Sequence, residues 1–244
     1  MTAPPSISAV LPAFNEAAVI AAVVRGAAEA LARSRVPSCE IIVVDDGSGD
    51  GTAEEVRRGA PAEVRVRVIS HDRNRGYGAA LRTGFTAARH EPVWLMDGDG
   101  QFDPADLARL LPHYAPDVAV LGYRERRQDP WLRRANHAAF FWLVRLLFGP
   151  TVRDVNCAFK LFPRPVGLEL RCEGAVISTE LVLRARRSGY RSVQVAVPHY
   201  PRRAGRATGA DPRVVGRAFA ELWRLRRDPL ALAPLATPGP PADG

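Results

Sequence analysis

Two aspartates separated by a single glycine follow a short apolar segment near the middle of the sequence. Val93–Met96 runs directly into the sequence DGDGQ, which contains Asp97, Asp99 and Gln101. In an extended chain, residues two apart face the same side, so both carboxylates are expected to lie together. Neighbouring carboxylates repel each other unless a cation neutralises them, and oxygen ligands favour Mg²⁺ or Mn²⁺. These residues therefore predict a divalent-metal site that takes substrate phosphates as further ligands.

Other sites with similar aspartate patterns fit this segment less well. An EF-hand loop from Asp97 needs glycine at its sixth position and glutamate at its twelfth, where the sequence has Phe102 and Ala108. A dinucleotide fingerprint fails at Leu81, which stands where its third glycine is required. A turn that only caps the next helix needs fewer acids and glycines than this one contains. A dehalogenase-type phosphatase, with Asp97 as nucleophile, stays open as an alternative of another class.

Short apolar segments alternate with helical patterns along the chain. The predicted strands are Ile7–Leu11, Glu40–Val44, Val66–Ser70, Val93–Met96, Val118–Leu121, 156–162 and 192–197. The predicted helices are 16–32, one from Thr52, 76–89, one from Pro104 with Asp103 as its cap, 131–148, 178–188 and 212–226. Pro12 is expected to end the first strand and Asn15 to cap the first helix. The alternation favours an α/β fold, a single Rossmann-like domain whose mostly parallel central sheet is flanked by helices.

Polar residues cluster where four of these strands end. The clusters are Asn15-Glu16, Asp45-Asp46, Asp97 with Asp99, and Tyr123-Arg124. In a parallel sheet the carboxyl ends of the strands meet at one edge, so a functional site is predicted there.

Charge and composition narrow the set of partners. The chain of 244 residues has a net charge of +8, and Lys160 is its one lysine, so the positive charge is almost entirely arginine. Arginines cluster at 124–134, 184–191 and 202–206. This favours contact with phosphates or with an anionic membrane surface. Aromatic residues do not interleave with a basic stripe, so nucleic acid is not a predicted partner.

The cysteines and the apolar segments indicate the compartment. Cys39, Cys157 and Cys172 are too widely spaced for a zinc pattern or a disulfide framework, which fits a reducing cytoplasm. The first eight residues lack the apolar region of a secretory signal, and no apolar stretch reaches about 20 residues. We expect a cytoplasmic protein, either free or peripheral on the inner face of the cell membrane.

Seven short motifs follow one another along the chain. They are VLPAFNE at 10–16, VVDDGSGDGT at 43–52, NRGYGAA at 74–80, MDGDGQ at 96–101, GYR at 122–124, DVNCAFK at 154–160 and TEL at 179–181. In this order and spacing the set resembles family 2 glycosyltransferases of the GT-A fold, in the branch of polyprenyl-phosphate (dolichyl-phosphate) sugar synthases. The resemblance covers about residues 6–210.

The resemblance implies an enzyme that transfers a single sugar, with inversion, from a UDP- or GDP-sugar to a polyprenyl phosphate. It implies Mg²⁺ or Mn²⁺ as cofactor, bound by Asp97, Asp99 and Gln101, to stabilise charge on the leaving diphosphate. The implied nucleotide-sugar-binding residues are Pro12, Phe14, Glu16, Val44, Asp46, Asp97, Gly98 and Asp99. A soluble glycosyltransferase with a small hydroxyl acceptor stays open as the alternative.

The acceptor determines which further residues matter. A phosphate monoester carries a charge of about −1.5 to −2 near neutral pH and needs cationic positioning more than a base. The candidates for this positioning are Arg124, Arg134, Arg203 and Arg206, with Arg133 and Arg202 beside them. A hydroxyl acceptor needs a general base, and Glu180 is the candidate for that role. The predicted catalytic residues are therefore Asp99, Glu180 and Arg124.

The segment 131–148 combines arginines, aromatic residues and a long apolar stretch. A helix of this kind predicts peripheral contact with a membrane interface, and a helix buried in the core is the alternative.

The predicted organisation has one domain. It comprises a flexible N-terminus at 1–6, a glycosyltransferase domain at 7–228 and a disordered tail at 229–244. The domain is predicted to divide into a nucleotide-sugar-binding half at 7–122 and an acceptor-binding half at 123–228.

Overall fold

A seven-stranded sheet forms the centre of the part of the chain that the computed structural model describes, residues 5–125, 131–149, 151–174, 176–202, 212–228 and 232–235. The strands are β1 (Ile7–Ala13), β2 (Cys39–Asp45), β3 (Arg65–Ser70), β4 (Val93–Met96), β5 (Val118–Arg124), β6 (Phe159–Phe162) and β7 (Arg191–Val197). Their order across the sheet is β3-β2-β1-β4-β6-β5-β7. The pairs are parallel except where β6 runs antiparallel to β4 and β5. The predicted α/β fold with a mostly parallel sheet is confirmed.

Helices cover both faces of this sheet. They are α1 (Ile20–Arg33), α2 (Thr52–Gly59), α3 (Tyr77–Ala87), α4 (Leu107–Leu110), α5 (Trp131–Phe148), α6 (Arg164–Leu168), α7 (Ile177–Arg187) and α8 (Pro212–Arg227), with 3₁₀ turns at Pro104–Asp106 and Leu111–His113. Among the described residues, no helix is long and apolar enough to cross a membrane.

Two apolar layers form because successive side chains of a strand point to opposite faces. Ile7 and Leu11 of β1 pack on one face in a cluster that contains α1 and the Leu107–Leu110 helix. Val10 packs on the other face with α3, α6 and α7. The central strands are buried along their whole length, as expected for parallel strands that helices cover on both sides.

A third cluster joins α5 to α8. It contains Val144 and Phe148 of α5, Leu222 and Leu225 of α8, and Leu232. Leu235, further along the chain, is also buried. Residues 232–235 therefore pack against the domain, which differs from the predicted disorder of 229–244; the rest of that segment beyond residue 235 lies outside the described residues.

Two predicted boundaries were wrong for local reasons. Pro12 does not end β1, which continues to Ala13 in register with β2. Asn15 does not cap the first helix, because it adopts a left-handed backbone conformation with φ 56°. Its side chain instead accepts a hydrogen bond from the backbone N–H of Gly49. The helix begins only at Ile20, and the turn before it lies against the loop after β2.

The other predicted elements are found, most with ends that differ by a few residues. The strand Val93–Met96 and the helix Trp131–Phe148 have their predicted bounds, and the helices predicted from Thr52 and Pro212 begin at those residues. Asp103 caps the turn at Pro104 as predicted, its side chain accepting from the N–H of Ala105. The predicted strand at 156–162 is shorter and starts at Phe159.

Candidate active site

A cavity of about 620 Å³ opens at the carboxyl edge of β1, β2 and β4. Its lining residues include Pro12, Phe14, Glu16, Asp46, Asn74, Arg75, Gly76, Tyr77, Asp97, Gly98, Asp99, Glu173, Gly174, Arg202, Arg217 and Glu221. Parallel strands end together here, so the polar residues that follow them meet around one space, as the sequence predicted.

The turn after β4 is held tightly against β1. The N–H of Gly98 donates to the carbonyl of Pro12 at 3.1 Å. A Cβ added at Gly98 would lie 2.8 Å from Ile20 Cδ1 and 3.1 Å from the carbonyl oxygen of Pro12, so a larger residue would require these neighbours to move. This close packing fixes Asp97 and Asp99 on either side of Gly98.

Three acidic side chains meet in the cavity, and one arginine contacts two of them. Arg202 donates to Glu16 Oε1 at 2.8 Å and to Asp99 Oδ2 at 2.7 Å. Asp97 Oδ1 accepts from the Tyr77 hydroxyl at 3.0 Å. Glu16 Oε2 is buried and has no hydrogen-bond partner. The cluster therefore has more negative than positive charge in a space largely withdrawn from water.

Burial, with a smaller contribution from the neighbouring negative charge, raises the pKa of two of the acids. Burial, and then the neighbouring Asp99, raise the pKa of Asp97 to about 7, although the Tyr77 hydrogen bond opposes the shift. Burial also raises the pKa of Glu16 to about 7, with Asp99 adding to the effect and Arg202 opposing it. A cation close to these carboxylates would favour their ionised forms.

The donor chemistry of this cluster fits a hard divalent cation. Carboxylate oxygens are the ligands that Mg²⁺ and Mn²⁺ prefer. The described residues contain no group of three or more His, Cys, Asp or Glu side chains arranged to hold a metal by themselves. A two-aspartate site that is completed by water and substrate phosphates is the arrangement these residues can offer.

Asp46 organises the loop that forms another wall of the cavity. Its carboxylate accepts from the backbone N–H of Arg75 at 2.9 Å and of Gly76 at 2.8 Å. His71 Nδ1 lies 2.6 Å from the same side chain. The carboxylate was predicted to contact the nucleotide, and in this structure it also serves to hold residues 74–76 at the cavity.

Seven of the eight predicted nucleotide-sugar-binding residues line the cavity. They are Pro12, Phe14, Glu16, Asp46, Asp97, Gly98 and Asp99. Val44 is the exception, because it is fully buried in the apolar layer with α3. Val44 therefore belongs to the apolar core next to the site and does not line the cavity.

Gln101 is placed differently from its predicted role as a metal ligand. It does not line the cavity, and its side-chain amide donates to the carbonyl of Tyr200 at 3.1 Å. Its backbone carbonyl accepts from the N–H of Tyr200. Gln101 therefore fastens the segment after β7 to the DGDGQ turn, which brings Arg202 to Asp99.

Arg124 and Glu180 also differ from their predicted catalytic roles. Arg124 makes a two-pronged ion pair with Asp154, at 2.6 and 2.8 Å, outside the cavity. Glu180 is fully buried, accepts from the backbone N–H groups of Arg171 and Cys172, and pairs with Arg184. Its hydrogen-bonding capacity is used in holding the loop before α7, so the assignment of Glu180 as a base is corrected to a structural one.

The other three arginines predicted to bind the acceptor phosphate lie in parts that the structure does not describe. They are Arg203, Arg206 and the side chain of Arg134. Two cavity residues were not predicted from the sequence, Arg217 and Glu221, which α8 brings to the site. They belong to no motif, and only the packing of α8 places them there.

Comparisons with known proteins agree with this architecture. The model of the family described as "Glycosyl transferase family 2" matches residues 8–165. Glycosyltransferase AglD of Haloferax volcanii is 34% identical over 208 residues, which are 80% of this chain and 33% of that protein. An undecaprenyl-phosphate 4-deoxy-4-formamido-L-arabinose transferase of Salmonella choleraesuis is 27% identical over 232 residues, 94% of this chain and 70% of that protein. The chain thus spans about a third of the length of the first relative.

Solved structures share the fold at low sequence identity. Glucosyl-3-phosphoglycerate synthase from Mycobacterium tuberculosis, in complex with Mn²⁺, UDP-glucose and phosphoglyceric acid, has a TM-score of 0.72 at 19% identity, over 95% of this chain and 81% of that one. Mannosyl-3-phosphoglycerate synthase from Rubrobacter xylanophilus has a TM-score of 0.70 at 21% identity, over 91% of this chain and 74% of that one. The predicted GT-A fold is confirmed.

The raised pKa of Asp97 predicts how ligand-free stability depends on pH. The Asp97 carboxyl group holds its proton more tightly in the folded protein than in the unfolded chain. The free energy of unfolding therefore falls as pH rises from about 4 to about 7. Asp97→Asn removes the penalty, and we expect it to unfold with a free energy on the order of 1 kcal/mol higher than wild type at about pH 8. The difference should shrink towards about pH 5. Urea unfolding without metal or nucleotide measures it.

Asp103→Asn is the matched control, because Asp103 caps a helical turn and does not line the cavity. Its unfolding curve should follow that of wild type across the same pH range. An Asp97→Asn protein that is less stable than wild type at about pH 8 would contradict the interpretation.

Proposed function

Because the chain belongs to glycosyl transferase family 2, we propose that it transfers a single sugar, with inversion, from a UDP- or GDP-sugar to a polyprenyl phosphate. The observation that carries this proposal is the Asp97–Asp99 pair in the cavity, with Arg202 as its neighbouring cation. Membership of this family excludes the dehalogenase-type phosphatase, which was the alternative of another class.

The nucleoside is proposed to bind beside β1 and the loop at 74–76. Phe14 lines the cavity and is half-exposed, so its ring is available to pack against a base. Asp46 fixes the backbone of the opposite loop. The similar Mycobacterium tuberculosis structure contains UDP-glucose, so a UDP-sugar is the first donor to test.

Asp97 and Asp99 would hold Mg²⁺ or Mn²⁺ next to the diphosphate. When bound, the ion supplies Lewis-acid stabilisation of the charge on the leaving nucleoside diphosphate. Tyr77 fixes the orientation of Asp97 through its hydroxyl. Arg202 adds a second positive charge at Asp99, where it offsets the negative charge of the acids and of an incoming diphosphate.

A phosphate acceptor suits the charges that line the cavity. Arg75, Arg202 and Arg217 all contribute to its wall. A phosphate monoester is already a nucleophile, so its transfer does not need the base that Glu180 was expected to supply. Arg134, Arg203 and Arg206 stay predictions as further phosphate ligands. The name of the Salmonella relative, a transferase acting on undecaprenyl phosphate, supports a lipid phosphate.

The outer surface of α5 and α8 supports an acceptor that resides in a membrane. Trp142 and Leu146 of α5 are exposed, as are Phe219 and Trp223 of α8. Large apolar side chains in such numbers are unusual on a free surface. Arg145 lies over the Trp142 ring at 5.8 Å and Arg227 over the Trp223 ring at 4.9 Å.

Paired tryptophan and arginine side chains are typical of helices at the interface of an anionic bilayer. We assign this surface to the inner leaflet of the cell membrane, which extends the predicted contact through 131–148 to α8. The protein would then be peripheral on the cytoplasmic side.

The catalytic proposal is tested by transfer from UDP-glucose, UDP-N-acetylglucosamine and GDP-mannose to undecaprenyl phosphate in the presence of Mn²⁺. We expect Asp97→Asn and Asp99→Asn to lower the rate with the preferred donor by about 100-fold or more, since each removes a ligand of the proposed ion. Asp103→Asn should keep the wild-type rate. Full transfer by either cavity variant would refute the metal site, and transfer only to phosphoglycerate would refute the lipid acceptor.

The membrane proposal is tested by co-sedimentation with vesicles that contain phosphatidylglycerol. The double substitution Trp142→Ser and Trp223→Ser should lower the partition coefficient by about tenfold or more, because two interfacial aromatic anchors are lost. Leu168→Ser is the control, since Leu168 is an exposed apolar residue on α6. Equal binding by wild type and the double variant would show that this surface does not contact lipid.

A further inference from the structure

Glu221 of α8 is an acidic residue of the cavity that the transfer reaction proposed above does not use. Its Oε1 accepts a hydrogen bond from the backbone N–H of Gly174 at 2.9 Å. Its Oε2 is buried and has no hydrogen-bond partner. A buried carboxylate oxygen without a donor is costly to keep, and such an oxygen at a cavity wall indicates that a ligand supplies the donor.

The position of this carboxylate is fixed by its surroundings. Leu222 and Leu225, beside it on α8, are buried and anchor the helix. A Cβ at Gly174 would lie 2.7 Å from Oε2, so the glycine allows the carboxylate to lie directly on the loop before α7. Glu221 is therefore held at the cavity wall with one carboxylate oxygen unpaired, and a fixed position is what a recognition residue requires.

The described basic residues of the cavity do not neutralise Glu221. Arg202 is committed to Glu16 and Asp99, and Arg75 pairs with Asp72. Arg217 lies one turn earlier on α8 and lines the same cavity, and no ion pair joins it to Glu221 in the described part of the chain. The group that faces Oε2 is thus left for the substrate to provide.

We infer that Glu221 accepts a hydrogen bond from a hydroxyl or amino group of the sugar that is transferred. This inference rests on the proposed function and names a determinant of sugar specificity within it. The carboxylate would repel the phosphates of the donor and of the acceptor, so its partner is a neutral or cationic donor group. A polyprenyl phosphate carries no hydroxyl for it, and the sugar does.

The inference is tested by comparing the binding of a nucleotide sugar with that of its nucleoside diphosphate. Titrations with UDP-glucose, UDP-N-acetylglucosamine and GDP-mannose, each beside UDP or GDP and Mn²⁺, identify the donor that wild type binds best. Glu221→Gln should raise the dissociation constant of that donor by about tenfold or more, which is the usual effect of losing a hydrogen bond to a charged group. Binding of the diphosphate alone should stay within about twofold of wild type.

Two further variants separate recognition from structure. Glu169→Gln replaces an exposed carboxylate outside the cavity and should bind both ligands as wild type does. Gly174→Ala keeps Glu221 but displaces its carboxylate, so it should show the same selective loss for the nucleotide sugar. It also serves as the second probe if Glu221→Gln does not fold.

The outcomes distinguish this inference from the proposed function. Equal loss of sugar nucleotide and diphosphate, or no loss of either, would overturn the role of Glu221 while leaving the transferase intact. Unchanged donor binding by Glu221→Gln with a raised KM for the acceptor would move the contact to the acceptor and overturn the assignment to the sugar. A wild-type protein that binds none of the donors would overturn both proposals.

Discussion

An imbalance of charge at the carboxyl edge of the sheet governs this site. Glu16, Asp97 and Asp99 meet in one cavity, and Arg202 is the cation that contacts two of them. Burial of the carboxylates, with the neighbouring Asp99 adding to the effect, raises the pKa values of Glu16 and Asp97 to about 7. Such a cluster lowers the stability of the ligand-free protein, as is typical of functional sites. A bound cation would restore that stability.

The sequence was sufficient to predict the parts of the fold that follow local rules. Short apolar runs such as Val93–Met96 become buried strands, since helices cover both faces of the sheet. Alternating strands and helices favour a mostly parallel sheet, so the acids that follow the strands were expected at one edge. The Asp97–Asp99 pair and five further predicted residues reach the cavity for this reason.

Residues whose roles depend on tertiary packing could not be assigned from the sequence. Glu180 and Arg124 stand in recognisable motifs, but buried partners use their charges: Arg184, one turn further along α7, pairs with Glu180, and Asp154, from a distant loop, pairs with Arg124. Asn15 looked like a helix cap, and its hydrogen bond to the loop at Gly49 holds it in a left-handed turn instead. Glu221 reaches the cavity because α8 packs on α5, a contact with no local sequence signal.

Direct measurement of Mn²⁺ binding tests the central claim, that the strand-end aspartates recruit a cation together with a diphosphate. Electron paramagnetic resonance of free Mn²⁺, with UDP or GDP present, should report about one ion bound per chain in wild type. The double substitution Asp97→Asn and Asp99→Asn should abolish that binding. Retention of the ion by the double variant, or failure of wild type to bind it with either diphosphate, would contradict the account.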